Sequence, residues 1–179
     1  MKQELLLEFG YLTTRHFEWV ESMGWHEKPK VAFLALIGSE IGEAANECRG
    51  LLPKEDLKGE LADIVLRIVD LCELYDQSVE LRNALKELHE ISEDETVPWY
   101  TMKDDKPDLM ESMAKMFMLL GENIKYYGQS CDSEVSHYAM MIMECNKISQ
   151  HFFDTHINTL MDEKITQNIN KRNYKNRSI

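Results

Sequence analysis

The sequence predicts an all-α protein, an antiparallel helical bundle, and three observations carry that prediction. Only eight Gly and four Pro occur in 179 residues, while Leu, Glu, Lys and Met, all good helix formers, are abundant. Apolar residues recur at helical spacing through most of the chain. The breaks in that spacing are few and coincide with Gly and Pro, at Gly24, at Gly50 to Pro53 and from Asp94 to Pro107.

Each segment follows from its own pattern. Lys2 to Ser22 carries Leu5, Leu6, Phe9, Leu12, Phe17 and Val20 on one face and ends at Gly24. A short loop through Lys28 and Pro29 leads to a helix from Val31 to Arg49, stopped near Gly50. Leu51 to Lys54 is a turn, Glu55 to Tyr75 the next helix, and Gln77 to Ile91 a shorter fourth. Residues 94–107, with Pro98, Trp99 and Pro107, read as a linker. Beyond it the pattern restarts weakly. Met113 to Ile124 is similar to Val31 to Ile41 when Gly121 is set against Gly38, which places Asn123 and Tyr126 where Glu40 and Glu43 stand. Ser133 to Phe153 aligns with Gly59 to Tyr75 in two registers, placing either Glu134 and His137, or Tyr138 and Met141, opposite Glu60 and Asp63. The expected organisation is one body, 1–179, built as a tandem pseudo-duplication. Residues 1–93 form a metal-binding half, 94–107 the linker, and 108–179 a degenerate second half with a basic C-terminal tail. Two unrelated helical hairpins with similar wording remain the alternative.

With 44% hydrophobic residues the chain can bury one sizeable core. A formal charge of −12 argues against nucleic acid or an anionic membrane as partner, but not against phosphates, since bound divalent cations reverse the field of an acidic site. Cys48, Cys72, Cys131 and Cys145 show no C-x-x-C spacing and read as buried thiols. No signal-like opening and no run of eighteen apolar residues occurs, so a cytoplasmic location is expected.

The residues that carry chemistry are two acidic pairs, Glu40/Glu43 and Glu60/Asp63. Side chains three apart on a helix point the same way, so two antiparallel helices could gather four carboxylates around one cation. Hard oxygen ligands of this type suit Mg²⁺, with Mn²⁺ as the other option. At about 100° per residue, Glu40 falls inside the apolar face of Phe33, Leu36, Ile37 and Ala44, where a solvated Glu would not sit. The next helix leaves only a narrow polar stripe of Glu60, Asp63, Arg67 and Asp70. Carboxylates in such places are costly unless paired or metal-bound. A di-iron carboxylate bundle would need two Glu-x-x-His pairs, and Glu134/His137 is the single one.

ALIGSEIGEAANE followed by LKGELADIVLRIVDLCELY resembles the MazG-like all-α nucleoside triphosphate pyrophosphatases, over roughly residues 10–90. The resemblance includes the Gly before Glu43 and the apolar run after Asp63. It implies a Mg²⁺-dependent hydrolase that converts a (deoxy)nucleoside triphosphate to the monophosphate and pyrophosphate, with Glu40, Glu43, Glu60 and Asp63 as metal ligands. Glu40 or Glu43 would also orient or deprotonate the attacking water. It further implies a base pocket involving His16 and Trp25, as in dCTP pyrophosphatases, and phosphate contacts from Lys164, Asn168 (or Asn170) and Arg172, with Lys171 and Tyr174 in the same basic segment. Two departures, Gly50 and Arg67, stand where those enzymes have a Trp and a Tyr, which leaves the base open. Glu47 is a further candidate ligand, and Lys28, Lys30 and Lys54 are candidate phosphate contacts. Single-repeat relatives assemble as dimers or tetramers to complete the bundle, so a fused duplicate could do the same work within one chain, with a homodimer still open. The alternatives are a non-catalytic or regulatory bundle, or action on phosphoribosyl-ATP or a modified nucleotide.

Overall fold

In the computed structural model, which describes residues 3–50, 52–93, 108–127 and 133–176, seven α-helices account for the regular structure, and no strand occurs among the described residues. They are α1 (Gln3–Ser22), α2 (Lys30–Glu47), α3 (Leu57–Leu74), α4 (Ser78–Glu93), α5 (Leu109–Lys125), α6 (Glu134–Phe153) and α7 (Ile157–Asn176). No helix among them is long and apolar enough to cross a membrane. The 94–107 linker and Cys131 lie outside the described residues.

Local chemistry sets the helix ends. The Asp108 carboxylate caps α5, accepting from the backbone N–H groups of Met110 and Glu111 at 2.9 and 3.0 Å. Gly24, at φ +66°, turns the chain after α1. Asp76, at φ 56°, closes α3: Gln77 N–H bonds Cys72 C=O and Asp76 N–H bonds Glu73 C=O, a Schellman arrangement with Asp in the position that usually takes Gly.

Helix α3 is the axis of the molecule. It packs against α1, α2, α4, α6 and α7, and Leu57, Leu61, Ile64, Val65, Ile68 and Leu71 lie fully inside. Helix α2 bridges α3 and α5, and α6 is flanked by α3, α4 and α5. Phe33, Leu34, Ile37, Ile41 and Ala44 of α2 join α3 and α5 in one continuous core with α6. The described cysteines, Cys48, Cys72 and Cys145, are buried and unbridged.

The expected basic tail is a twenty-residue helix, α7, laid on α3 and α1. Its weak amphipathicity hid it: Ile157, Leu160, Met161 and Ile165 are its buried anchors, all in the first half. Polar ties to α1 supplement them. The Asn158 amide donates to Leu5 C=O and to the Glu8 carboxylate, and the Arg15 guanidinium pairs with Asp162 and donates to the Thr166 hydroxyl.

Candidate metal centre

Where α2 crosses α3, one oxygen each from Glu40, Glu60 and Asp63 lies within 4.8 Å of the others. Glu40 comes from the apolar side of α2, between the fully buried Ile37 and Ile41, and is only 8% exposed. Glu60 and Asp63 are half-buried on the polar stripe of α3.

Two cations reach this cluster from different helices. Arg67, one turn after Asp63 on α3, donates through Nε to Glu40 Oε1 at 3.0 Å. Lys164 of α7 places its ammonium directly on Asp63. Like charges at such spacing repel by roughly 3 kcal/mol per pair at an effective dielectric near 20, and two cations against three carboxylates leave a deficit of positive charge. The electrostatics agree in sign. Burial pushes the carboxyls of Glu40, Glu60 and Asp63 above their ordinary range. Arg67 opposes that for Glu40 and Lys164 for Asp63 without reversing it, and Asp63 pushes Glu60 further up. Three convergent hard oxygens with residual negative demand fit Mg²⁺ or Mn²⁺, whose remaining coordination positions water and phosphate oxygens would fill.

Glu43 departs from the expectation of four converging ligands. Its side chain is exposed, accepts from the Ser39 hydroxyl at 3.2 Å and stands outside the triad. Three residues turn a helix by about 300°. With Glu40 aimed into the core, Glu43 therefore falls toward the rim. There it lines a cleft of about 540 Å³ with Glu60, Glu47, Asn46 and Ser39, over the bare backbone of Gly38 and Gly42. Glu47 itself pairs with Lys54 at 3.3 Å.

His16 is buried to 4% exposure, and neither ring nitrogen has a hydrogen-bond partner. Burial, then the charges of Arg67 and His26, lower its pKa to about 3, so the ring is neutral. Trp25 is exposed and meets Trp19 edge-on at 5.4 Å, and the His16 ring lies 6.1 Å from that same indole. Trp19 is thus the ring that both His16 and Trp25 adjoin. Beyond Arg67 on α3, buried Asp70 holds His26 Nε2 at 2.8 Å. Asn168 and Arg172 follow Lys164 at four-residue intervals along one side of α7, half-buried and exposed respectively. Lys28 is exposed. Lys30 belongs to the other end of the bundle.

That other end is a second polar centre, where α5 meets α6. Asn123 receives His137 Nδ1 on its amide oxygen at 2.6 Å and donates to Glu134 C=O at 3.2 Å. Of the two registers read from the sequence, the one with Glu134 and His137 thus places its residues together around Asn123. Lys30 Nζ lies 2.8 Å from both Glu134 oxygens, with the Tyr138 hydroxyl at 2.9 Å and the Gln77 amide at 3.5 Å also donating to this carboxylate.

Sequence reasoning missed the pairing of Arg67 with Glu40. Its signal was present: Arg67 stands four residues after Asp63 in the polar stripe of an otherwise apolar helix. No protein-family model, curated protein or solved structure matches this chain.

Proposed function

We propose that the protein is a Mg²⁺-dependent nucleotide pyrophosphohydrolase that splits a (deoxy)nucleoside triphosphate into the monophosphate and pyrophosphate. The observation that supports this most is the convergence of Glu40, Glu60 and Asp63 with the Lys164 ammonium already against them. Glu40, Glu60 and Asp63 would hold the metal. When bound, the metal would offset charge on the phosphate oxygens and lower the pKa of the attacking water.

The chain's own groups supply the rest. A water oxygen bonds to phosphorus, the bridging P–O bond opposite it breaks with pyrophosphate or nucleoside monophosphate leaving, and the water's proton passes to a carboxylate. Glu43 suits that proton, because it faces the open cleft and stands outside the triad. Lys164, Asn168 and Arg172 form a line of donors along α7 for the phosphate chain. Neutral, unpartnered His16 offers one donor and one acceptor, and exposed Trp25 an indole face, with which a base would be read. In the same reading α5 and α6 duplicate α2 and α3, with the metal acids replaced.

The test is to incubate the protein with each dNTP, each NTP and phosphoribosyl-ATP in Mg²⁺ and to measure monophosphate and pyrophosphate. At least one substrate should turn over, and EDTA should stop it. No product from any of them rejects the enzyme reading, and nucleotide binding without turnover assigns the site to regulation instead.

A further inference from the structure

Helix α5 has two apolar sides, and the described residues cover only one. Met113, Met116 and Leu120 are buried in the core. On the other side Met110, Phe117, Met118 and Ile124 are 43–63% exposed, with exposed Ala114 and Gly121 between them. These six positions follow a helical repeat and make one stripe about 20 Å long. Exposed Val31 and Ala35 of α2, which packs alongside, widen it. A solvated helix face carries charge, and contiguous apolar surface of this kind marks an interaction site.

The charges bordering the stripe identify its occupant. Glu111 and Lys115 precede Met118, and Glu122 and Lys125 follow it. If two α5 helices lie antiparallel about a two-fold axis at Met118, Glu111, seven residues before it, faces Lys125 of the other copy, seven after. Glu122 then faces the turn holding Ala114 and Lys115 of that copy. All four charges lie on one edge of the stripe, so a parallel two-fold pair would leave the two charged edges on opposite sides, where these pairs cannot form. The pattern is therefore complementary to itself in the antiparallel orientation, as a two-fold interface requires. Within the chain Lys125 pairs with Glu122 at 3.5 Å and Lys115 with Glu144 at 3.1 Å. All but Glu144 keep enough exposure for a second partner.

We propose that two copies of this chain associate through α5, antiparallel, with Met118 against Met118. One helix pair offers less than the roughly 800 Å² per partner of a standard stable complex, so half-association is expected at about 1–100 µM.

Sedimentation equilibrium of the full chain from 5 to 500 µM tests this. The expected result is a monomer–dimer equilibrium that Met118→Glu weakens at least tenfold, with helical content by circular dichroism unchanged. Glu111→Lys alone and Lys125→Glu alone should each weaken it severalfold, and the double variant should return it to within about threefold of the parent. A monomer across the whole range overturns the proposal. So does a dimer indifferent to Met118→Glu, or a double variant no tighter than either single one. Monomeric protein in which Met118 resists peroxide would show that a segment of the same chain covers the stripe, and would also overturn it.

Discussion

The two polar centres of the bundle use similar parts to opposite ends. Between α2 and α3, Arg67 and Lys164 each engage a different carboxylate, and three carboxylates remain short of positive charge. Between α5 and α6, Glu134 alone takes Lys30 on both oxygens plus the Tyr138 hydroxyl and Gln77 amide, while Asn123 and His137 satisfy each other. In the second centre the Glu134 carboxylate is fully served, though Gln77 Oε1 is buried without a partner, and it reads as structure; the first centre's acids are underserved and make it the candidate cation site. Glu144, buried on α6, makes the same point. Burial pushes its carboxyl up, but the Ser112 hydroxyl and Lys115 more than offset this and hold it below the ordinary range, the reverse of the three triad acids. A buried acid fully served by neighbours is quiet, and one underserved is a candidate site.

The sharpest way to break this contrast is to neutralise one acid in each centre. Glu40→Gln or Asp63→Asn should lower turnover by about a thousandfold or more and abolish Mn²⁺ binding measured by electron paramagnetic resonance. Glu134→Gln should leave both within about threefold, and equal losses in the two centres would erase the distinction.

His16 gives the next largest effect. Its folded pKa, about 3, lies below the unfolded value of 6.5, so the unfolded chain binds a proton in that window and the folded one does not. Its contribution to stability is therefore complete above pH 6.5 and falls as pH drops toward 3. By pH 4 that amounts to a loss of about 3 kcal/mol. His16→Leu should flatten the urea-derived stability between pH 6.5 and 4 by that amount relative to the parent. The three acids with raised pKa act in the opposite direction in both proteins, so the difference between the proteins isolates the imidazole.

Lys30→Met strips Glu134 of its counter-charge and should cost about 2 kcal/mol, a fall in Tm of roughly 5 °C, without altering Mn²⁺ affinity. Lys164→Met removes a cation that competes for Asp63, and at pH 8 without nucleotide it should tighten Mn²⁺ binding about tenfold by calorimetry. If both lysines behave alike, the two centres do not differ as described. The smallest effect expected is from Tyr138→Phe, about 1 kcal/mol by thermal denaturation, since two donors to Glu134 remain.

Much of this was legible in the chain. The boundaries of α1 to α4 and of α6 follow from apolar spacing and from Gly and Pro, which act locally. The burial of Glu40 followed from counting positions on one helix. Helix α7 was harder, because four apolar anchors in its first half give little periodicity. The exposed stripe on α5 was hidden too, since Met and Phe on the two sides of one helix read alike until a neighbour covers one of them.

The sequence by itself determined that the protein is helical, that Glu40 would be an internal acid, and that Glu60, Asp63, Arg67 and Asp70 share a stripe, because these properties belong to single helices and to the turn angle of each. Tertiary structure decided that Glu43 stands at the rim of the triad, where its charge still pushes the three carboxyls up, while Lys164, a hundred residues away, enters it. It also set Arg67 on Glu40 and Lys30 at the opposite pole. Those outcomes depend on how helices cross and which ends they bring together, and that is fixed by the packing of the whole core rather than by any local repeat.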